Sequence, residues 1–161
     1  TKILRGEDPN FMDIRSPGGS GIGALAYNYD GKIFTSDEGR MMHETGDDSF
    51  VIGDVRTTSY RALMKHETIR ALVMASIREV QPDCVSCAYA PYCGVQPEHS
   101  HRTQGTIFGR MRESNVCLVH KGIQDYLFEK LKENDPTTVE ILRRWTTVRE
   151  RTHFVHESAA S

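Results

Sequence analysis

The sequence predicts an α+β fold, with a small β-hairpin or sheet followed by helices and a cysteine-rich loop. The first observation is a pair of short aromatic and β-branched runs, 24–29 and 32–35, on either side of Asp30-Gly31. An Asp-Gly pair tolerates the positive φ angles of a tight turn, so these runs predict a hairpin. The second observation is apolar side chains at helical spacing on both sides of the cysteines, which predicts flanking helices.

The middle of the chain is expected to add a third strand and a helix. The run 50–55 has the composition of a strand. A helix is then expected from about Tyr60 to Glu79, with a break near His66, before Pro82 ends it. Its candidate capping residues are Thr57, Thr58 and Ser59. The side chains expected on one face of this helix are Ile69, Leu72, Val73, Ser76 and Ile77.

Two further helices are expected after the cysteines. The first begins at Leu118 and has four apolar residues along one side: Ile123, Leu127, Phe128 and Leu131. Asp135-Pro136 then supplies an N-cap and a first helical residue for the second helix. The side chains expected to face inward from this last helix are Val139, Leu142, Trp145 and Val148.

Composition limits the classes of partner. The chain has 161 residues, enough for one ordinary domain, and a net charge of −2, which favours neither nucleic acid nor an anionic membrane. No apolar run approaches the roughly 20 residues of a membrane span, and no signal-peptide pattern opens the chain. Four cysteines without an export signal indicate the reducing cytoplasm, where disulfides rarely persist. The charged start at Thr1 is expected to continue from a preceding domain.

The four cysteines are the strongest functional signal. They form the pattern Cys84-x2-Cys87-x5-Cys93, followed after 23 residues by Cys117. Two intervening residues let a tight knuckle direct both sulfurs at one centre, and metal–thiolate bonds can offset the entropy of closing the long loop. We expect all four to be metal ligands. Four thiolates suit tetrahedral zinc, a single iron or an iron–sulfur cluster equally well, and the polar segment 94–116 is expected to be tethered mainly by them.

Other polar residues are weaker candidates. His99 and His101 flank the cysteine loop and are alternative ligands or proton carriers, although solvated loop histidines are commoner. Asp37 and Glu38 form a carboxylate pair of the kind used in acid–base catalysis. Beside Arg40, a surface ion pair or a helix cap is the expected role of this pair.

The glycine-rich stretch 18–23, the run 24–34 and the cysteine pattern together resemble the SPASM domain. SPASM domains are the C-terminal, auxiliary-cluster parts of radical S-adenosylmethionine (SAM) enzymes that modify peptides. The resemblance covers residues 18–117, and its cysteine pattern is similar to the ligand set of that family's second auxiliary 4Fe–4S cluster. The segments 36–41 and 105–110 look like segments of the maturase of the His-Xaa-Ser peptide-modification system.

The chain also departs from the family pattern. Gly18, Ser36 and Pro97 stand where SPASM domains carry cysteines of the first auxiliary cluster. We therefore expect one metal centre and not two. The Cys-x3-Cys-x2-Cys motif that binds the catalytic cluster is absent from the sequence, so no catalysis is expected from this chain alone.

The resemblance implies an auxiliary domain of a radical SAM enzyme that modifies a ribosomally synthesised peptide. One 4Fe–4S cluster on the four cysteines would then serve electron transfer, substrate positioning or structure. The implied partners are the catalytic domain of the same polypeptide and the precursor peptide. A structural zinc module for protein contacts and a rubredoxin-like single iron site are the alternatives. The expected division is a lead-in at 1–17, a metal-binding domain at 18–117, C-terminal helices packing on it at 118–150 and a flexible tail at 151–161.

Overall fold

The computed structural model describes residues 3–7 and 11–147. The fold is α+β, as predicted, with a small antiparallel sheet and helices. The described residues divide into two compact units, one formed by 11–124 and the other by 3–7 together with 125–147. No helix in these ranges combines the length and apolar character needed to cross a membrane.

The sheet contains the predicted hairpin and the predicted third strand. Its strands are β1 (Ala26–Tyr27), β2 (Lys32–Phe34) and β3 (Val51–Asp54), paired antiparallel in the order β1-β2-β3. β2 is therefore the central strand and β1 an edge strand. All three strands are short, so packing of helices on the sheet has to supply most of its stability.

The hairpin turn explains the glycine that the sequence places after Asp30. The amide of Asn28 donates to the carbonyl of Lys32, and the amide of Gly31 donates to the carbonyl of Asn28, both at 3.0 Å. Gly31 has φ +96°, the left-handed conformation that closes a three-residue hairpin loop. Asp30 accepts a hydrogen bond from the amide of Lys32 at 3.0 Å. The Asp-Gly pair thus shapes the turn as predicted.

The predicted central helix is two helices. The helices that lie in the first unit are α1 (Asp37–His43), α2 (Tyr60–Leu63), α3 (Glu67–Ala75) and α4 (Pro97–Gln104). Ser59 caps α2 and His66 caps α3, so the break near His66 is confirmed. The end near Glu79 is wrong, because α3 stops at Ala75 and a separate 3-10 helix follows at Arg78–Val80.

The core of the first unit lies between the sheet and the helices. One cluster of buried side chains joins the sheet to α2 and α3, and consists of Ile33, Ile52, Leu63 and Ile69. A second cluster joins α1 and α3 to the residue before β3, and consists of Met42, Phe50 and Leu72. Ile69 and Leu72 are the residues through which α3 contributes to these clusters, as the helical spacing predicts.

The segment 94–116 is more ordered than its polar sequence suggests. It contains α4, which contacts both α1 and α3. Val95 and Met111 flank this helix and are 3% and 7% exposed. The cysteines were expected to be the main tethers of this segment, but it also has buried anchors of its own.

The second unit holds the C-terminal helices. α5 (Asn115–Glu133) runs into it from the first unit, and α6 (Pro136–Thr146) follows. Asp135 caps α6 by accepting from the amide of Thr138 at 2.8 Å, which confirms the predicted N-cap. The inward orientation predicted for α6 is wrong at Val139 and Trp145, which are 38% and 69% exposed. Helical spacing shows which residues share a face but not what covers that face.

Several terminal predictions lie outside the described residues, namely Val148 and the flexible tail at 151–161. Within the expected lead-in, residues 11–17 belong to the first unit and include a 3-10 helix at Met12–Ile14.

Candidate metal centre

The first two cysteines lie in a pair of consecutive turns. The amide of Cys84 donates to the carbonyl of Gln81 at 2.9 Å, and the amide of Cys87 donates to the carbonyl of Cys84 at 3.0 Å. The side chain of Gln81 is only 6% exposed and donates to the carbonyl of Ala75 at 2.7 Å. The knuckle predicted from the two-residue spacing is thus attached to the end of α3.

Cys93 follows a short 3-10 helix at Ala90–Tyr92. Arg78 fixes its backbone, because the guanidinium donates to the carbonyl of Cys93 at 2.6 Å. The amide of Arg78 in turn donates to the hydroxyl of Ser16 at 3.0 Å. A single arginine therefore connects the third cysteine to the segment that precedes the hairpin.

Gly94 permits a close approach of two backbones. A Cβ atom at this position would overlap the carbonyl oxygen of Asp13 and lie 2.8 Å from the Cα of Ile14. Real Cβ atoms do not occur at such distances, so only glycine fits. The residue after Cys93 is consequently packed directly against residues 13 and 14.

The fourth cysteine is brought in by a helix that begins earlier than expected. α5 starts at Asn115 and not at Leu118, so Cys117 lies in its first turn. Ahead of this helix, Arg112 pairs with Asp83, with 3.3 Å between the guanidinium Nε and the carboxylate. Because Asp83 immediately precedes Cys84, this ion pair holds the start of α5 near the knuckle.

Three of the four thiols border one cavity of about 30 Å³, whose lining includes Cys84, Cys93 and Cys117. Cys87 is not part of that lining, but its charge acts on both Cys84 and Cys93. All four thiols are half-buried and none forms a disulfide. Side chains from three separate stretches of sequence therefore meet in one place.

Burial controls the thiol chemistry. It raises the pKa of Cys84 to about 11, with a further contribution from the charge of Cys93. The pKa of Cys93 is also raised, first by burial and then by the charge of Cys117. In the absence of a cation these two thiols stay protonated at neutral pH. A bound metal cation reverses that preference, because it stabilises the thiolates and displaces their protons.

The thiols lie in one group, but their sulfur atoms are not spaced as the ligands of one metal ion are. Within residues 3–7 and 11–147, no three His, Cys, Asp or Glu side chains are positioned to hold a metal ion. The donor set nevertheless fits a thiolate-bound centre by its chemistry, since three free thiols border one cavity and the fourth, that of Cys87, interacts electrostatically with two of them. Binding would require the sulfurs to adjust towards a common centre.

A histidine that the cysteine pattern does not single out, His120, lies at this site. The Nδ1 atom of His120 is 3.7 Å from the sulfur of Cys93. His120 is three residues after Cys117 on α5, and residues three apart on a helix share a face. The three-residue spacing could have identified His120 from the sequence, but only if the helix had been predicted to include Cys117.

The two histidines singled out from the sequence have different positions. His99 lines the cavity that the thiols border. His101 contacts other residues of the first unit. Its Nε2 lies 2.8 Å from the carboxylate of Asp47, and its ring packs edge-on against Phe50. His101 therefore has a structural partner away from the thiols.

The carboxylate pair at the start of α1 includes the surface ion pair that was expected beside Arg40. Asp37 accepts from Arg40 at 2.7 Å, which is the predicted surface ion pair. The N-cap is Ser36, whose hydroxyl accepts from the amide of Gly39 at 3.1 Å. Glu38 is exposed and lines a groove along β1.

The three positions where the resembled family carries cysteines have other roles here. The amide of Gly18 donates to the hydroxyl of Ser76 at 2.9 Å, Ser36 caps α1, and Pro97 is the first residue of α4. Gly18 and Pro97 border one small cavity, and Ser36 borders the adjoining groove.

Comparison with protein-family models finds none that matches this chain, and searches of curated proteins and of solved structures find no significant match.

Proposed function

We propose that the chain is the auxiliary metal-binding domain of a radical SAM enzyme that modifies a ribosomally synthesised peptide. One 4Fe–4S cluster on Cys84, Cys87, Cys93 and Cys117 is the proposed cofactor. The observation that carries this proposal is the grouping of four free, half-buried thiols from separate segments. The sequence resemblance supplies the cluster type and the enzyme class.

The surrounding residues suit a protected centre. When bound, a cluster supplies a site that accepts and donates single electrons. Met111 and Val116 line the cavity beside the thiols and give it apolar walls. His120 offers a polar contact to the sulfur of Cys93. Burial and hydrogen bonds to sulfur are the properties through which a protein adjusts the reduction potential of such a group.

The proposed partners follow from what the chain contains. Because the sequence has no Cys-x3-Cys-x2-Cys motif, radical generation is assigned to a catalytic domain of the same polypeptide. The precursor peptide is the proposed substrate. A cytoplasmic location is proposed because free thiols persist in a reducing compartment.

Metal and sulfide analysis after anaerobic reconstitution tests the proposal. We expect about four iron and four acid-labile sulfide per chain, as a single cubane cluster requires. The variant Cys84→Ser should lose most of this uptake, whereas Ser86→Ala in the same turn should retain it. Iron without sulfide would instead indicate a rubredoxin-like site, and zinc without sulfide a structural zinc module. Either of these results would overturn the proposed cofactor.

A further inference from the structure

We propose that the small cavity between Gly18 and the start of α4 binds the lysine side chain of an extended peptide lying along β1. This inference deepens the proposed function, and it rests on that function only in identifying the peptide as a substrate. The cavity has a volume of about 40 Å³, and Glu98 is part of its lining.

The first observation is an unpaired carboxylate oxygen. Glu98 is 4% exposed, and its Oε1 has no hydrogen-bond partner among the described residues. Burying a carboxylate is costly unless a donor or an opposite charge compensates it. A cationic ligand that enters the cavity would provide that compensation.

The second observation concerns the charge and size of the cavity. Asp13 and Glu38 also line it, and no lysine or arginine of the described ranges does. By volume, a cavity needs about 10–15 Å³ to hold one water molecule, so the volume of about 40 Å³ admits a group the size of a water molecule or somewhat larger. A compact ammonium group is of this size, whereas the planar guanidinium of arginine is larger and needs a wider slot. The cavity therefore favours lysine over arginine.

The third observation is a route for the peptide backbone. A groove of about 470 Å³ adjoins the cavity, shares Asp13, Ser20 and Glu38 with it, and runs along residues 24–27. In antiparallel strands, hydrogen-bonded residue pairs alternate with pairs that are not hydrogen-bonded to each other. Asn28 is hydrogen-bonded to Lys32, so the backbone groups of Leu25 and Tyr27 point away from β2. An extended peptide can pair with these groups as an added strand.

The position of the cavity links it to the thiols. Gln96 and His99 line both this cavity and the one bordered by Cys84, Cys93 and Cys117. A lysine held against Glu98 would therefore bring its ammonium end next to the thiol cavity, while the peptide backbone stays in the groove along β1.

Fluorescence anisotropy with the 161-residue chain at physiological salt tests the inference. The probe is a labelled heptapeptide, Thr-Val-Thr-Lys-Thr-Val-Thr, compared with peptides that carry norleucine or arginine at the central position. We expect the lysine peptide to bind about tenfold more tightly than the norleucine peptide, as a charge-assisted hydrogen bond to a buried carboxylate implies. The arginine peptide should bind more weakly than the lysine peptide.

A protein variant assigns the preference to the cavity. Glu98→Gln should abolish the discrimination between lysine and norleucine, whereas Glu44→Gln, an exposed carboxylate near the hairpin, should preserve it. If Glu98→Gln fails to fold, the comparison of peptides on the unmodified chain decides. Equal affinities for lysine and norleucine, or no saturable binding, would overturn the inference.

If the chain takes up a cluster but shows no lysine preference, this inference fails alone. If it prefers lysine but binds no metal, the proposed function fails and a peptide-binding site remains.

Discussion

Replacement of Gly94 by alanine should destabilise the first unit and loosen the lead-in segment from the cysteine loop. The added Cβ would overlap the carbonyl oxygen of Asp13 and come within 2.8 Å of the Cα of Ile14. Both neighbours are backbone atoms, so no side-chain rotation can relieve the clash. Overpacking of this kind costs about 2 kcal/mol. In a unit of this size that corresponds to a fall in Tm of about 8 °C.

Thermal unfolding followed by circular dichroism measures this effect, and Gly122→Ala provides the control. Gly122 lies inside α5, where an added Cβ meets nothing within 4 Å. Alanine at that position should stabilise the helix by up to about 1 kcal/mol. The two substitutions therefore have opposite expected signs. If Gly94→Ala melts at the wild-type temperature, residues 13 and 14 do not pack on the cysteine loop as described.

Three further predictions concern individual side chains. Hydrogen bonds from Ser49, with a smaller contribution from His101, lower the pKa of Asp47 from 3.8 to about 2. The ionised carboxylate therefore stabilises the fold above pH 4, and this contribution is lost as the pH falls towards 2. In urea unfolding, the free energy of unfolding of Asp47→Asn should change less between pH 6 and pH 3 than that of the wild type. Ser36→Ala removes the cap of α1 and should lower the free energy of unfolding by about 1 kcal/mol, without changing metal uptake measured in parallel. His120→Ala should leave the metal content unchanged but lower the reduction potential measured by voltammetry, because a hydrogen bond to sulfur stabilises the reduced, more negative state; an unchanged potential would show that this contact is not made in the loaded protein.

The hairpin and the capped helices could be predicted because local chemistry determines them. Asp30-Gly31 specifies a turn within a few residues, and Asp135-Pro136 specifies a helix start. The break at His66 was also visible as an interruption of the helical pattern. These features depend on residues close in sequence, so no tertiary information was needed.

Features that depend on distant packing were missed. α4 has a polar sequence, and it is held by contacts with α1 and α3 that the sequence does not display. The exposure of Trp145 on α6 depends on what covers that helix, which periodicity cannot reveal. The contact of His120 with the thiol group became visible only once Cys117 was known to lie inside α5.

The cysteine pattern predicted a shared location but not its detailed geometry. The two-residue spacing indicated a tight turn, and the backbone hydrogen bond from Cys87 to Cys84 forms one. The spacing did not indicate that Arg78 and Gly94 connect Cys93 to the lead-in segment. Backbone contacts of this kind leave no residue-type signature apart from the glycine itself.

X-ray absorption at the iron edge of the anaerobically reconstituted chain is the most direct test of the proposed centre. We predict iron in a sulfur-only first shell, with additional scattering from neighbouring iron atoms, and loss of both signals in Cys84→Ser. A first shell of four sulfurs without neighbouring iron would show a single-iron site and contradict the proposed cluster. A protein that retains only zinc, with zinc–sulfur distances of about 2.3 Å, would contradict it as well.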